Sequence, residues 1–168
     1  MDDEIVIEKC RNGDQEAFRH LVERYQRQAI GHATALLGTR EDALDAAQEA
    51  FIDAFRALKQ FDSSRPFYPW FYVLLRNRCF KMAARKRETE SIDENVIVSA
   101  GSAAQSENSL ALERALRSLN MEDREIVTLK YLDGLSYNEL AERLQIPKGT
   151  VMSRLFYARR KLLAKLER

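Results

Sequence analysis

The tightest constraint on the fold lies in Leu135-Ser136-Tyr137-Asn138-Glu139-Leu140, where one short segment carries every signal of a helix start. Ser136 is placed to accept the Glu139 amide, Glu139 to reach back to the Ser136 amide, and Leu135 to pack on Leu140. This is a capping box with a hydrophobic staple. The helix so started puts Leu140, Ala141 and Leu144 on one face and stops at Gln145-Ile146-Pro147. Pro147 cannot continue that helix, but it is tolerated at the mouth of the next. The next helix is expected from Lys148 to about Leu166. Val151, Leu155, Ala158 and Leu162 repeat at helical spacing and are expected to face the core. Thr150, Ser153, Arg154, Tyr157 and Lys161 fall on the opposite side, with Lys148 and Gly149 at the helix entrance. Two helices joined by a three-residue turn, the second presenting hydroxyls and cations, predict a helix-turn-helix that reads a major groove. A plain helical hairpin with a solvated basic face is the bland alternative.

Composition narrows the rest. The 168 residues have room for one or two small domains, and 45% hydrophobic with 32% charged residues is ordinary for a soluble globular chain. No apolar run approaches the roughly 20 residues of a membrane span, and Met1-Asp2-Asp3-Glu4 has the wrong charge for a signal peptide. A cytoplasmic protein without membrane insertion is therefore expected. Cys10 and Cys79 lack CxxC or His-Cys spacing and are read as occupants of small apolar sites. Net charge is only +1, but the charges are segregated. Residues 41–53 hold Glu41, Asp42, Asp45, Glu49 and Asp53 with no base. Residues 76–87 hold Arg76, Arg78, Lys81, Arg85, Lys86 and Arg87 with no acid. Such segregation points to two partners of opposite charge.

Three helices are expected before the basic run ends. The first runs from a cap at Asp14 to Leu37, with Phe18, Leu21, Val22, Tyr25, Ala29, His32, Ala33 and Leu36 inward and Gly38 ending it. His20 and His32 lie on it without a ligand cluster, so both read as ordinary surface or core histidines. The second runs from Thr39 to about Lys59, burying Ala43, Leu44, Ala47, Phe51, Ala54, Phe55 and Leu58. Asp45, Glu49 and Asp53 recur every fourth residue on its exposed face, where like charges cost a few tenths of a kcal/mol per pair. Either a basic partner or solvent satisfies that face. The third helix starts around Pro69 and runs to about Arg87, with Trp70, Val73, Leu74, Asn77 and Phe80 as one stripe.

Residues 61–72 carry six of the fifteen aromatics, interrupted by the loop Asp62-Ser63-Ser64-Arg65-Pro66. Rings beside cations are what unpaired bases and their phosphates require, and Arg76 and Lys81 supply nearby cations. Residues 88–109 have five serines, five acids and no Lys or Arg, and read as a flexible acidic linker in which Val96-Ile97-Val98 could dock. Beyond it, helices are expected near Leu110–Ser118 and from Met121 to Leu132, the latter capped by Asn120 and followed by Gly134. No Gly-rich phosphate loop and no Ser, His and carboxylate constellation is present, so no enzyme, metal or cofactor is expected.

Five segments in order resemble one family. Gly13-Asp14-Gln15-Glu16-Ala17-Phe18, Asp45-Ala46-Ala47-Gln48-Glu49-Ala50-Phe51, Phe67-x-x-Trp70-Phe71 with Asn77, Leu135-Ser136-Tyr137-x-Glu139-Leu140-Ala141 and Gly149-Thr150-Val151-x-Ser153-Arg154-Leu155 are similar to segments of bacterial extracytoplasmic-function sigma factors. That is the small class with only the second and fourth sigma regions. The resemblance implies an all-α chain of two helical domains, 1–87 and 110–168, joined by the linker 88–109. It implies that Asp45, Gln48, Glu49 and Asp53 bind a coiled coil of core RNA polymerase. Phe61, Asp62, Ser63, Phe67, Trp70, Arg76, Asn77 and Lys81 would handle the opened −10 strand. Lys148, Gly149, Thr150, Ser153, Arg154, Tyr157 and Lys161 would read the duplex −35 element. The linker would thread toward the RNA exit path, and an anti-sigma protein would hold the chain inactive. The chain departs from the family at Pro69, often threonine, and at Lys81, often aspartate. Met152 and Tyr157 stand where bases are common, which shifts −35 reading toward Lys148, Arg154 and groove shape. The competing class is a free-standing helix-turn-helix regulator of duplex DNA, which leaves the 61–87 stretch unused. Such regulators usually dimerise, and no heptad is present.

Overall fold

Several helix starts in this chain are set by side chains that accept backbone amides, and the computed structural model, which describes residues 2–90 and 107–167, shows them engaged. Asp14 Oδ1 accepts the Ala17 amide at 3.2 Å, opening a single 3-10 turn at Gln15–Ala17 and then α2, Phe18–Leu37. Thr39 Oγ1 accepts the Asp42 amide at 3.3 Å to start α3, Arg40–Ala57. One helix has no counterpart in the sequence reading: α1, Asp3–Arg11, which buries Val6 and Ile7. A second 3-10 turn, Leu58–Gln60, leads through the loop into α4, Phe67–Glu90. Pro69 sits in the first turn of α4, where its missing N–H has no intrahelical acceptor to lose. At the C-cap of α2, Gly38 takes φ 84°, a left-handed conformation that glycine adopts without a Cβ penalty.

The chain divides into two compact units, Met1–Val96 and Ile97–Arg168. In the first, α2, α3 and α4 pack on one another, with α1 laid along α2 and against the Leu58–Gln60 turn. Alanines make this approach close: Ala29 and Ala33 of α2 and Ala43, Ala46, Ala47, Ala50 and Ala54 of α3 are buried. Because α3 has neighbours on two sides, its buried arc widens through Ala46 and Ala50. Leu44 and Phe55, expected inside, are instead 43% and 37% exposed. Phe55 keeps one edge-on contact with Phe18, centroids 5.1 Å apart.

The stripe expected on α4 is also corrected. Phe67, Tyr68, Phe71, Tyr72, Leu75 and Cys79 are buried, whereas Val73 and Asn77 are exposed and Trp70 and Leu74 half-buried. Both stripes have helical spacing, but the expected one would strand the Asn77 amide in the core, at about 1–3 kcal/mol. The observed one buries aromatics instead. Phe71 stacks on Phe51 at 4.4 Å and on Phe67 at 5.7 Å, and a fully buried ring of this kind is worth roughly 1.5–3 kcal/mol. His32 is a core residue, its Nδ1 2.6 Å from the Tyr68 hydroxyl, and His20 is exposed. Tyr25 donates to Asp3; burial first and that carboxylate second push its pKa up to about 12.

In the second unit α8, Lys148–Leu166, packs on α5, Glu107–Arg117, on α6, Met121–Tyr131, and on α7, Tyr137–Leu144. The capping box forms as expected: Ser136 Oγ accepts the Glu139 amide at 3.2 Å and Glu139 Oε2 accepts the Ser136 amide at 2.7 Å. Asn120 Oδ1 accepts the Asp123 amide at 2.8 Å at the head of α6. Val151, Leu155 and Ala158 are buried, but Leu162, one turn on, is only half-buried. The linker ends differ from the expected 88–109: Glu88 to Glu90 belong to α4 and Glu107 to Ser109 to α5. The Val96-Ile97-Val98 docking expectation lies outside the described residues.

Candidate functional site

Three surfaces carry the candidate residues, two in the first unit and one in the second. The first is a groove of about 360 Å³ between α3 and α4, lined by Asp45, Gln48, Glu49, Arg78, Lys81, Met82 and Arg85. The α3 acids divide here by what α4 offers them. Arg78 forks onto Asp53, Nε to Oδ2 at 2.5 Å and Nη2 to Oδ1 at 2.7 Å. Those hydrogen bonds, and then the Arg78 charge, hold the Asp53 carboxyl below the ordinary carboxylate range despite partial burial. Asp42 pairs with Lys86 and accepts the Thr39 hydroxyl at 2.7 Å. Burial raises its pKa, but these two hydrogen bonds outweigh that and leave it lowered. Asp53 is thus tied to α4 rather than presented to a partner, a correction to the expectation of one continuous acidic face. Asp45 and Gln48 are exposed, and Glu49 lies 3.7 Å from Arg78, beyond hydrogen-bonding reach. Leu44 and Ile52 are exposed on the same helix and were not anticipated in this role. Lys81, expected beside the −10 residues, lines this groove.

The second surface is the 61–66 loop with the outer face of α4. Phe61 and Phe67 are 4% and 1% exposed, so neither offers a ring face to a base, and the expectation that they do is corrected. They pack edge to face at 6.0 Å and form the floor on which Trp70 rests, 4.6 Å from Phe61 and 5.7 Å from Phe67. Above that floor the loop is polar. Asp62 Oδ1 accepts from the Ser64 hydroxyl at 2.7 Å and the Ser64 amide at 3.0 Å, which hold its carboxyl low while it stays exposed. Ser63 Oγ accepts from Arg11 at 3.4 Å. Asn77 lies two turns beyond Trp70 on the same side of α4, exposed, its amide bonded to no described side chain. Arg76 is held over the Phe80 ring at 4.2 Å.

The third surface is the outside of α8. Lys148, Gly149, Ser153 and Tyr157 are exposed, and Thr150 and Arg154 half-buried. Pro147 is the N-cap and has no side-chain acceptor, so the first amides of α8 are left for an outside group. Lys161 is exposed as well, and its Nζ donates to Asp123 Oδ2 at 2.7 Å, joining α8 to the head of α6. Phe156 and Arg160, which the sequence reading passed over, are exposed on this face, with Arg160 set 5.7 Å over the Phe156 ring. Helical spacing alone places both beside Met152 and Ser153, so the signal was present.

Comparisons with known proteins bear on all three surfaces. Residues 21–89 match the family model for Sigma-70 region 2, and residues 109–162 that for Sigma-70, region 4. The ECF RNA polymerase sigma-E factor of Escherichia coli strain K12 is 37% identical, over 94% of this chain and 90% of that protein. The RNA polymerase sigma-H factor of Pseudomonas aeruginosa is 31% identical over the same shares. Two solved structures are similar throughout. CnrH in complex with the cytosolic domain of CnrY superposes with a TM-score of 0.71 at 26% identity, covering 98% of this chain and 97% of that one. The sigma factor RpoE of Bartonella quintana, in complex with the anti-sigma factor NepR, gives 0.73 at 25% identity, covering 89% and 96%.

Proposed function

We infer a division of labour among the three surfaces from one premise: the chain belongs to the extracytoplasmic-function RNA polymerase sigma factors. As such it is an initiation subunit that brings core polymerase to promoters, in a family not known for catalysis. Among the described residues no helix is long and apolar enough to cross a membrane. From its kinship with polymerase sigma factors we propose that it works in the cytoplasm, with the polymerase.

Residues 1–87 are assigned to core binding and −10 opening, 110–168 to −35 reading, and 88–109 to the connection. The core-binding role of α3 rests on one observation above the rest. Asp42 and Asp53 are hydrogen-bonded by α4, while Asp45, Gln48 and Glu49 stay exposed, Glu49 in a loose 3.7 Å ion pair with Arg78, next to exposed Leu44 and Ile52. That is an acidic face with an apolar border, suited to a basic helical partner. Polymerase pull-down with the purified chain tests it. Wild type should capture core enzyme stoichiometrically, and Asp45→Lys with Glu49→Lys should lose that capture while keeping its helical circular dichroism. Retained capture in the double variant removes α3 from the interface; failure of wild type to bind favours a free-standing DNA-binding regulator.

On α8, Lys148 and Gly149 offer amides and an ammonium to a phosphate, Thr150 offers its hydroxyl, and Ser153, Arg154 and Tyr157 face the base edges. Lys161 takes no part. In the first unit Trp70, Asn77, Asp62 and Ser63 receive the displaced −10 strand, Phe61 and Phe67 act only as the floor, and Arg76 attracts its backbone, while exposed Lys81 in the neighbouring groove adds positive charge at longer range. An anti-sigma partner follows by likeness to the Bartonella protein solved with NepR. Co-purification from resting cells should recover it, and recovery of only free or polymerase-bound chain under every growth condition excludes it.

A further inference from the structure

The −10 loop hangs from a side chain at the other end of its unit. Arg11 closes α1, and its guanidinium reaches across to residues 58–63. Nε and Nη2 donate to the Leu58 carbonyl at 3.4 and 3.3 Å, Nη2 also donates to the Phe61 carbonyl, and Nη1 donates to Ser63 Oγ at 3.4 Å. Glu8 Oε1 steadies Nη1 from within α1 at 2.8 Å. The side chain is only 23% exposed, so this is a cation lodged under a loop and not a solvent-swept arm.

The placement has a physical reason. Carbonyls at the end of a 3-10 turn run short of amide donors further along the chain; the Leu58 oxygen accepts the Phe61 amide at 3.3 Å and keeps a second lone pair that a nearby cation satisfies. Leu58 and Phe61 bracket the end of that turn. A planar guanidinium spans two carbonyls and a hydroxyl at once, where an ammonium, a point charge with three donors, does not hold the same fork. With Phe61 and Ser63 fixed from below, the polar turn closed by Asp62 and Ser64 is left facing outward. The local Arg11–Glu8 pair alone would contribute little, since exposed pairs of that spacing are worth well under about 1 kcal/mol.

We propose that Arg11 is a positioning residue for promoter opening: it fixes the loop backbone at Phe61 and Ser63 so that the Asp62–Ser64 turn is preformed for the displaced strand. This rests on the reading of that loop as the −10 capture site. It also gives α1 a role in opening, through a clamp spanning about fifty residues of sequence.

The test uses the full chain, alone and in holoenzyme, with Arg11→Gln and Arg11→Lys. Four quantities are measured: thermal midpoint, core-polymerase affinity, affinity for a single-stranded non-template −10 oligonucleotide, and hydrogen exchange of the Ser64 amide. Arg11→Gln should bind core as wild type does and lose about tenfold in oligonucleotide affinity, the size expected for severed charged hydrogen bonds. Exchange should quicken at residues 61–65 and not across the helices. Arg11→Lys keeps the stem and charge, covering the case in which Arg11→Gln does not fold, and should show the same selective loss. A purely structural Arg11 would instead lower the midpoint and weaken core and oligonucleotide binding together, which overturns the proposal. So does unchanged oligonucleotide affinity in both variants. Asp62→Ala separates the two readings. If it alone loses the oligonucleotide, only the Arg11 inference falls; if it too binds as wild type, the loop is not the capture site and both fall.

Discussion

The Arg78 guanidinium grips the Asp53 carboxylate with two donors, 2.5 and 2.7 Å long, and so removes one acid from an otherwise outward-facing row. The contact joins α3 to α4, and its worth is structural. Asp53→Asn should destabilise the first unit by about 1–2 kcal/mol, a range fitting a bidentate, partly buried pair. The pH dependence has a definite sign. The folded carboxyl lies below its ordinary value, so its stabilisation is full above that value and disappears as pH falls through the folded pKa. Urea titrations should therefore show a steady gap between wild type and Asp53→Asn near neutrality, closing below about pH 4. A gap that widens in acid would mean the carboxylate is not the stabilising form.

A second structural prediction concerns the turn of the helix-turn-helix. Gln145 takes φ 53° and ψ 44°, a left-handed conformation that disfavours residues with a Cβ by about 1–2 kcal/mol. The strain is accepted because the Ile146 amide then reaches the Ala141 carbonyl at 3.1 Å and closes α7. Gln145→Gly should relieve it and stabilise the second unit by about 1 kcal/mol, with −35 affinity unchanged. Chemical denaturation of the full chain, followed by a probe in the second unit, reads this out. A destabilised variant would show that the glutamine side chain, and not the backbone, decides the turn.

What the sequence made legible follows from the range of the forces involved. The caps at Asp14, Thr39, Asn120 and Ser136 act over three residues, and each is found where local chemistry placed it. The buried faces of α3 and α4 were harder. Apolar residues surround the first half of α4, and the choice between two stripes depends on which neighbours supply a floor. The site showed the same division. The exposed positions Asp45, Gln48, Asp62 and Ser153 follow from helical spacing and turn chemistry. The pairs that tie Asp53 to α4 and Lys161 to α6 span 25 and 38 residues, and the Arg11 clamp about fifty. Nothing local announces a partner at that distance. The α1 helix was missed because its short acidic start reads first as a charge signal.

On α8 the cations separate by task. Lys161 is committed to Asp123, so Lys161→Ala should lower the stability of the second unit by about 1–2 kcal/mol and leave the salt dependence of −35 binding alone. Lys148 has no such commitment and stands at the helix entrance. Lys148→Ala should reduce the slope of log affinity against log salt by about one, uniformly across sequences. Arg154→Ala should cost about 1–3 kcal/mol and relax preference at one base pair if the guanidinium meets a base edge. A uniform loss across −35 variants would reassign Arg154 to the phosphates. A changed salt slope in a fully folded Lys161→Ala would return Lys161 to the interface.

Strand opening gives the last prediction. A base leaving the stack costs a few kcal/mol and needs a surface to hold it. The surface proposed for it is the outer face of α4: Trp70, half-buried over Phe61 and Phe67, with the exposed Asn77 amide two turns along, able to donate and accept. Asn77 is exposed and bonded to no described side chain, so removing its amide should not disturb the core. Asn77→Ala should therefore keep the wild-type melting temperature, core affinity and duplex −35 affinity. It should lose affinity for a single-stranded non-template −10 oligonucleotide and reduce permanganate reactivity of thymines at the start site. Trp70→Ala should show the same loss together with a fall in stability, because the ring also covers the floor beneath the loop. Separating the two effects requires measurement below the midpoint of the weaker variant, where both chains are folded. If the bubble forms with wild-type reactivity in both variants, this face of α4 is scaffold, and the opened strand is held elsewhere.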